Sequence, residues 1–166
     1  MKLIRFLLMI IMIGLAGCVT IVSTNGNLKI GANEKWDLKL EIEVPAYEAQ
    51  AYGAYLTQSL DEFIQQAKAG GAQASWNQKG PNNDGNVIYT VNFNGTGFDK
   101  FNSIISSAQL TTSEQNGKQV VHFYMAPLDI GLSRSTSFEL TGGNILQTNG
   151  TKVNSTTVRW NRAMPM

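Results

Sequence analysis

The sequence predicts an α+β fold: a mainly antiparallel sheet of about 7–8 strands, with one long and one short helix packed on one face. Three observations lead to this expectation. Apolar and polar residues alternate strictly from Trp36 to Val44, a helical pattern of apolar residues follows from Ala46 to Ala69, and short β-like segments separated by turn residues fill most of the remainder. Because no strand–helix–strand rhythm repeats, neighbouring strands are expected to be mainly antiparallel.

The first strands come from the β-like runs Val19–Thr24 and Leu28–Ile30, which precede a turn at Gly31-Ala32-Asn33. The alternation from Trp36 to Val44 then gives a strand with one apolar and one solvated face. Pro45 ends it, because proline lacks the backbone donor that a central strand needs.

The long helix spans Ala46–Ala69. Its apolar stripe includes Tyr52, Leu56, Leu60, Phe63, Ile64 and Ala67. Gly70-Gly71 is a suitable C-terminal cap. Within the helix, Gly53 costs up to about 1 kcal/mol relative to alanine. We therefore expect Gly53 to allow a close approach by another element.

The remaining segments are short and end in turn residues. A short helix is expected from Phe98, with Phe101, Ile104, Ile105 and Ala108 at helical spacing. The expected strands are Gln73–Gln78, Asn86–Asn94, Leu110–Glu114, Lys118–Met125, Arg134–Thr141, Ile145–Thr148 and Thr151–Trp160. Asn149-Gly150 predicts a hairpin between the last two, because Asn-Gly suits a two-residue turn.

The first eighteen residues have the pattern of a signal peptide, with a basic start and an apolar run. The run ends in small residues and the only cysteine of the chain: Leu15, Ala16, Gly17 and Cys18. These four residues resemble the lipobox of bacterial lipoproteins, whose cysteine carries a diacylglyceryl group and becomes residue one. The resemblance predicts a signal peptide over residues 1–17 and one extracytoplasmic domain over residues 18–166. Two acyl chains on Cys18 would anchor that domain stably to a membrane.

Charge argues against nucleic acid as a partner. The whole chain has 13 Lys and Arg against 12 Asp and Glu, and removal of residues 1–17 takes Lys2 and Arg5 away, which leaves 11 against 12. A nucleic-acid-binding domain would need a basic patch.

A single cysteine also excludes an intrachain disulfide, so packing must stabilise the core.

A further resemblance covers most of the chain from Cys18 to Trp160. The first motif is Lys35-Trp36-Asp37 at the head of a strand. The second runs from Gly95 to Asn102 and reads Gly-Thr-Gly-Phe-Asp-Lys-Phe-Asn. The third runs from Gly143 to Trp160 and contains Gly-Asn-Ile, Asn-Gly and Thr-Thr-Val-Arg-Trp. Together these motifs resemble the LppM-type bacterial lipoprotein domain. The resemblance implies an envelope-associated domain that binds lipid. Family members often continue into a C-terminal membrane helix, which the residues after Trp160 do not predict, so Cys18 is the expected anchor.

No catalytic or metal-binding constellation stands out. His122, the only histidine, is interpreted as a half-exposed or hydrogen-bonded strand residue, since a general base needs a nucleophile or an orienting acid nearby. One histidine and a lipid-modified cysteine leave no soft metal site. The turn at Asn82–Asn86 lacks the acids of a calcium loop. We expect a protein without cofactor or metal that is not an enzyme, with a hydrolase as a distant alternative.

Apolar side chains could line a cavity for an acyl chain between the sheet and the helices. The candidates are Trp36, Leu40, Tyr52, Leu56, Phe63, Phe93, Phe98 and Phe101. Concave apolar sites with few polar groups suit amphiphiles, although the same residues could simply fill the core. The expected function is therefore binding of a lipid or other amphiphile by a membrane-anchored envelope protein. The alternative is an interaction module with a packed core that recruits other envelope proteins.

Overall fold

The computed structural model describes residues 19–105, 107–125 and 133–163. The predicted signal peptide, residues 1–17, and Cys18 lie outside these residues. The elements are β1 (Ile21–Ile30), β2 (Lys35–Pro45), α1 (Ala46–Ala69), β3 (Gln73–Lys79), β4 (Asn86–Thr96), α2 (Phe98–Ile104), β5 (Ala108–Gln115), β6 (Lys118–Met125), β7 (Ser133–Thr141), β8 (Thr151–Lys152) and β9 (Thr157–Ala163).

Seven of these strands form one sheet in the order β3-β4-β2-β1-β7-β9-β8, and β5 pairs with β6 as a separate hairpin. Every pairing is antiparallel except that of β1 with β7, which is parallel. The predicted α+β class with a mainly antiparallel sheet and two helices is confirmed.

One face of the seven-stranded sheet carries the core. Leu38 of β2 lies opposite Leu28 of β1 and Phe93 of β4, so the apolar positions of neighbouring strands are in register. Helix α1 packs over β2, β3 and β4. The β5–β6 hairpin covers the other half of this face, where the Phe123 ring stacks on the Phe138 ring at 5.5 Å.

The expectation at Gly53 is wrong. A Cβ atom added there would have no described atom within 4 Å, so this glycine faces open space. Close approaches occur instead where an aromatic ring lies over a glycine in the sheet region. A Cβ at Gly95 would lie 2.6 Å from the Trp36 ring, and one at Gly150 would lie 2.7 Å from the Trp160 ring.

Two strand predictions also differ from the structure. The runs Val19–Thr24 and Leu28–Ile30 belong to one strand, because Asn25 and Asn27 continue the pairing with β7 and bond to its side chains. The predicted hairpin turn at Asn149-Gly150 is wrong, and residues 145–148 form no strand. Asn149 instead accepts a hydrogen bond from the indole of Trp160 at 2.9 Å.

Candidate membrane-anchoring site

The fold begins immediately after the predicted lipidation residue. Val19 is buried and Ile21, the first residue of β1, is buried as well. Between them, the backbone N–H of Thr20 donates a hydrogen bond to the carboxylate of Glu48 in the first turn of α1. The chain is therefore held against the domain from the first residue after Cys18.

Glu48 is an acid buried at the start of a helix, with only 7% of its surface exposed. Besides the bond from Thr20, it accepts a hydrogen bond from the Tyr47 hydroxyl at 2.8 Å. Burial alone would raise the pKa of Glu48, but the hydrogen bonds from Thr20 and Tyr47 outweigh it and hold the pKa below its ordinary value of 4.5. A charged carboxylate here also interacts favourably with the helix N-terminus.

The first half of α1 presents an uncharged, aromatic surface to the outside. We call Tyr47, Ala51, Tyr52, Ala54 and Tyr55 the tyrosine surface; all five are exposed, Tyr47 by 71%. No charged residue occurs from Ala49 to Leu60, whereas the second half of the helix carries Asp61, Glu62 and Lys68. Thr20 is held at the start of this half, by Glu48.

The opposite end of the sheet has a different character. β1 runs ten residues away from the Thr20 end, a length of about 30 Å. There a depression of about 640 Å³ is lined by Lys29, Lys35 and Lys100 together with polar side chains and a single acid, Asp37. The basic residues of this depression thus lie far from the tyrosine surface.

The eight residues predicted to line an apolar cavity mostly pack against one another. Trp36, Leu56, Phe93, Phe98 and Phe101 are buried, Leu40 and Phe63 are partly buried, and Tyr52 lies on the exposed flank of α1. The Trp36 and Phe101 rings meet edge to face at 5.4 Å, and those of Phe63 and Phe93 do so at 5.2 Å.

Surface depressions lie elsewhere. One lies on the second half of α1, one lies around Asn25 and Glu139, and the lysine-lined depression is bordered by Trp36. In the described part of the chain, the space between α1 and the sheet is occupied by side chains of the core.

His122 has a neighbour that the sequence did not indicate. Its Nε2 atom lies 2.7 Å from the Ser113 hydroxyl oxygen, diagonally across the β5–β6 hairpin, and both side chains are exposed. Among the described residues no acid is bonded to the other ring nitrogen, so the pair lacks the orienting group of a catalytic triad.

Neither a cluster of metal ligands nor a membrane-spanning helix occurs among the described residues. No three His, Cys, Asp or Glu side chains come together there in a way that could hold a metal ion. No helix in that part of the chain has both the length and the apolar character required to cross a bilayer.

Comparison with known proteins points to one fold. No family model and no curated protein matches this sequence. Among solved structures, the NMR structure of the folded domain of LppM from Mycobacterium tuberculosis matches with a TM-score of 0.55 and 10% sequence identity, covering 87% of this chain and 84% of that one. This chain is similar in fold to the LppM domain. The resemblance seen in the sequence is thereby confirmed at the level of the fold.

Proposed function

We propose that this protein is a lipid-anchored domain of the bacterial cell envelope, tethered through a diacylglyceryl group on Cys18 and lying against the membrane that carries it. The observation that supports this most is the position of the first folded residues. Val19 and Ile21 are buried, and Thr20 is bonded to Glu48. No flexible stalk separates Cys18 from the domain.

The sequence supplies the remaining support. The small residues before Cys18 resemble a lipobox, and a diacylated cysteine provides the two acyl chains that stable anchoring needs. The LppM-type resemblance implies an envelope lipoprotein, and the likeness in fold is consistent with it. The proposed localisation is extracytoplasmic, on the surface of a bacterial membrane.

Within this role we propose binding rather than catalysis. The packing of Trp36 on Phe101 and of Phe63 on Phe93 favours contact with lipid at the surface of the domain over an acyl chain held inside it. The same packed core supports a second candidate, an interaction module that recruits other envelope proteins. Native mass spectrometry of the domain without Cys18, expressed in a lipid-rich host, separates the two: a co-purifying lipid favours amphiphile binding, and its absence favours the interaction module.

The anchor itself is tested with Cys18→Ser. We expect this variant to be released from membranes or to stay unprocessed with residues 1–17 attached, because the hydroxyl does not receive the diacylglyceryl group. Thr20→Ser, two residues further along, is the matched control and should fractionate with membranes as the parent protein does. Normal processing and membrane binding of Cys18→Ser would contradict the proposal.

A further inference from the structure

We infer that the tyrosine surface of α1 lies in the headgroup region of the membrane that carries the anchor. This inference rests on the proposed function, and it specifies which surface of the domain meets the lipid. The occupant is the anchoring bilayer itself, and the contact involves Tyr47, Ala51, Tyr52, Ala54 and Tyr55.

The length of chain between Cys18 and the fold restricts where the bilayer surface can be. The Thr20 N–H is held by Glu48 in the first turn of α1. Two extended residues reach at most about 7 Å. The acyl chains on Cys18 therefore enter the membrane close to the start of α1, which brings the tyrosine surface to the bilayer.

The chemistry of this surface suits an interface. Tyrosine combines an apolar ring with a polar hydroxyl and is enriched where membrane meets water. Tyr47, Ala51, Ala54 and Tyr55 share one stripe of the helix, which is about 12 Å long at 1.5 Å per residue. The five residues of the surface carry no charge, and Glu48 beside them is already buried and hydrogen-bonded, so contact there desolvates no charge of the surface itself.

A membrane fits this surface better than a protein partner does. A stable protein interface buries about 800 Å² on each side, far more than a stripe of this length offers. Contact with the anchoring membrane needs little intrinsic affinity, because the tether makes the encounter intramolecular. The lysine-lined depression takes no part in this contact, since Lys29, Lys35 and Lys100 lie at the opposite end of the sheet.

The chain offers a direct test because Cys18 is its only cysteine. Lipidation consumes that sulfur, so an introduced cysteine is the only free thiol. Ala51→Cys probes the tyrosine surface, and Gln65→Cys, exposed on the same stripe of the charged half of α1, is the matched control. The lipidated proteins are treated with a bulky, membrane-impermeant maleimide in native membranes and again after solubilisation in detergent.

We expect Ala51→Cys to react at least about tenfold more slowly in membranes than in detergent, a factor that corresponds to about 1.4 kcal/mol of contact free energy. Gln65→Cys should react equally fast in both. If Ala51→Cys reacts as fast in membranes as Gln65→Cys does, while the protein stays in the membrane fraction, the inference is wrong. The proposal that Cys18 carries the anchor is not affected by that result. Protection of Ala51→Cys in both conditions would also overturn it, because the shielding would then not depend on the membrane.

Failure of the proposed function gives a different result. If Cys18 carries no lipid, the parent protein without an introduced cysteine reacts with the maleimide, and it either appears in the soluble fraction or keeps residues 1–17. That outcome would show that the proposed anchor is wrong, and the inference drawn from the position of Cys18 would then fail as well.

Discussion

Glu48→Ala is expected to destabilise the domain at its anchored end. The substitution removes the acceptor of the Thr20 N–H, while the exposed Tyr47 hydroxyl can turn to water. A hydrogen bond to a charged group contributes about 1.5–3 kcal/mol, so we expect a loss of about that size in the free energy of unfolding. For a domain of this length that corresponds to a fall of roughly 5–10 °C in Tm.

Urea denaturation of the purified mature protein measures this loss. Glu62→Ala is the matched control: Glu62 is exposed on the same helix and bonds only to Gln58 among the described residues. We expect the control to change the free energy of unfolding by less than about 0.5 kcal/mol. If Glu48→Ala behaves like the control, the structural role assigned to Glu48 is wrong.

The same residue predicts a pH dependence. The pKa of Glu48 is held below its ordinary value of 4.5, so the native state favours the charged form more than the unfolded state does. This contribution to stability is present above that ordinary value and is lost as the pH falls through the lowered native pKa. Glu48→Gln removes it, so the stability difference between parent and variant should shrink on acidification. A difference that stays constant would refute this.

Three further predictions concern the core and are measured by the same denaturation experiment. Tyr89→Phe should raise the free energy of unfolding by about 1 kcal/mol, because the buried Tyr89 hydroxyl has no partner among the described residues; a clear loss would show that it has one. Gly95→Ala should cost about 1–3 kcal/mol through collision with Trp36, whereas Gly80→Ala, in open space, should not; equal effects would contradict the reported contact. Phe93→Ala should cost about 3–5 kcal/mol, since its ring is fully buried, and a small loss would mean that the core collapses around the gap.

The elements with a local period could be predicted from sequence. The alternation from Trp36 to Val44 and the helical stripe of Ala46–Ala69 reflect burial on one side of a strand and of a helix, and both elements are present with nearly those bounds. The parallel pairing of β1 with β7 could not be predicted, because its partners lie more than a hundred residues apart and leave no local pattern.

Turn-forming residues gave wrong predictions at two places where contacts between distant parts of the chain determine the structure. Asn149-Gly150 has the composition of a hairpin turn, yet the Trp160 ring lies over Gly150 and its indole donates to Asn149. Asn25-Gly26-Asn27 reads as a break, yet Gly26 makes room for the Phe138 ring and the strand continues.

Only part of the candidate site could be predicted from the sequence. Cys18 stands out through its neighbours, but the role of Glu48 depends on the return of α1 to the beginning of the chain. The available signal was a single acid in the first turn of an uncharged stretch. The aromatic residues were correctly grouped by period, but period alone does not distinguish a lined cavity from a filled core.

The lipid anchor on Cys18 is tested by mass spectrometry of the N-terminal peptide of the protein isolated from membranes. We predict a chain that begins at Cys18 and carries a diacylglyceryl group on its sulfur. A membrane-bound chain that begins elsewhere, or whose Cys18 has a free thiol, would show that the protein is not anchored through Cys18.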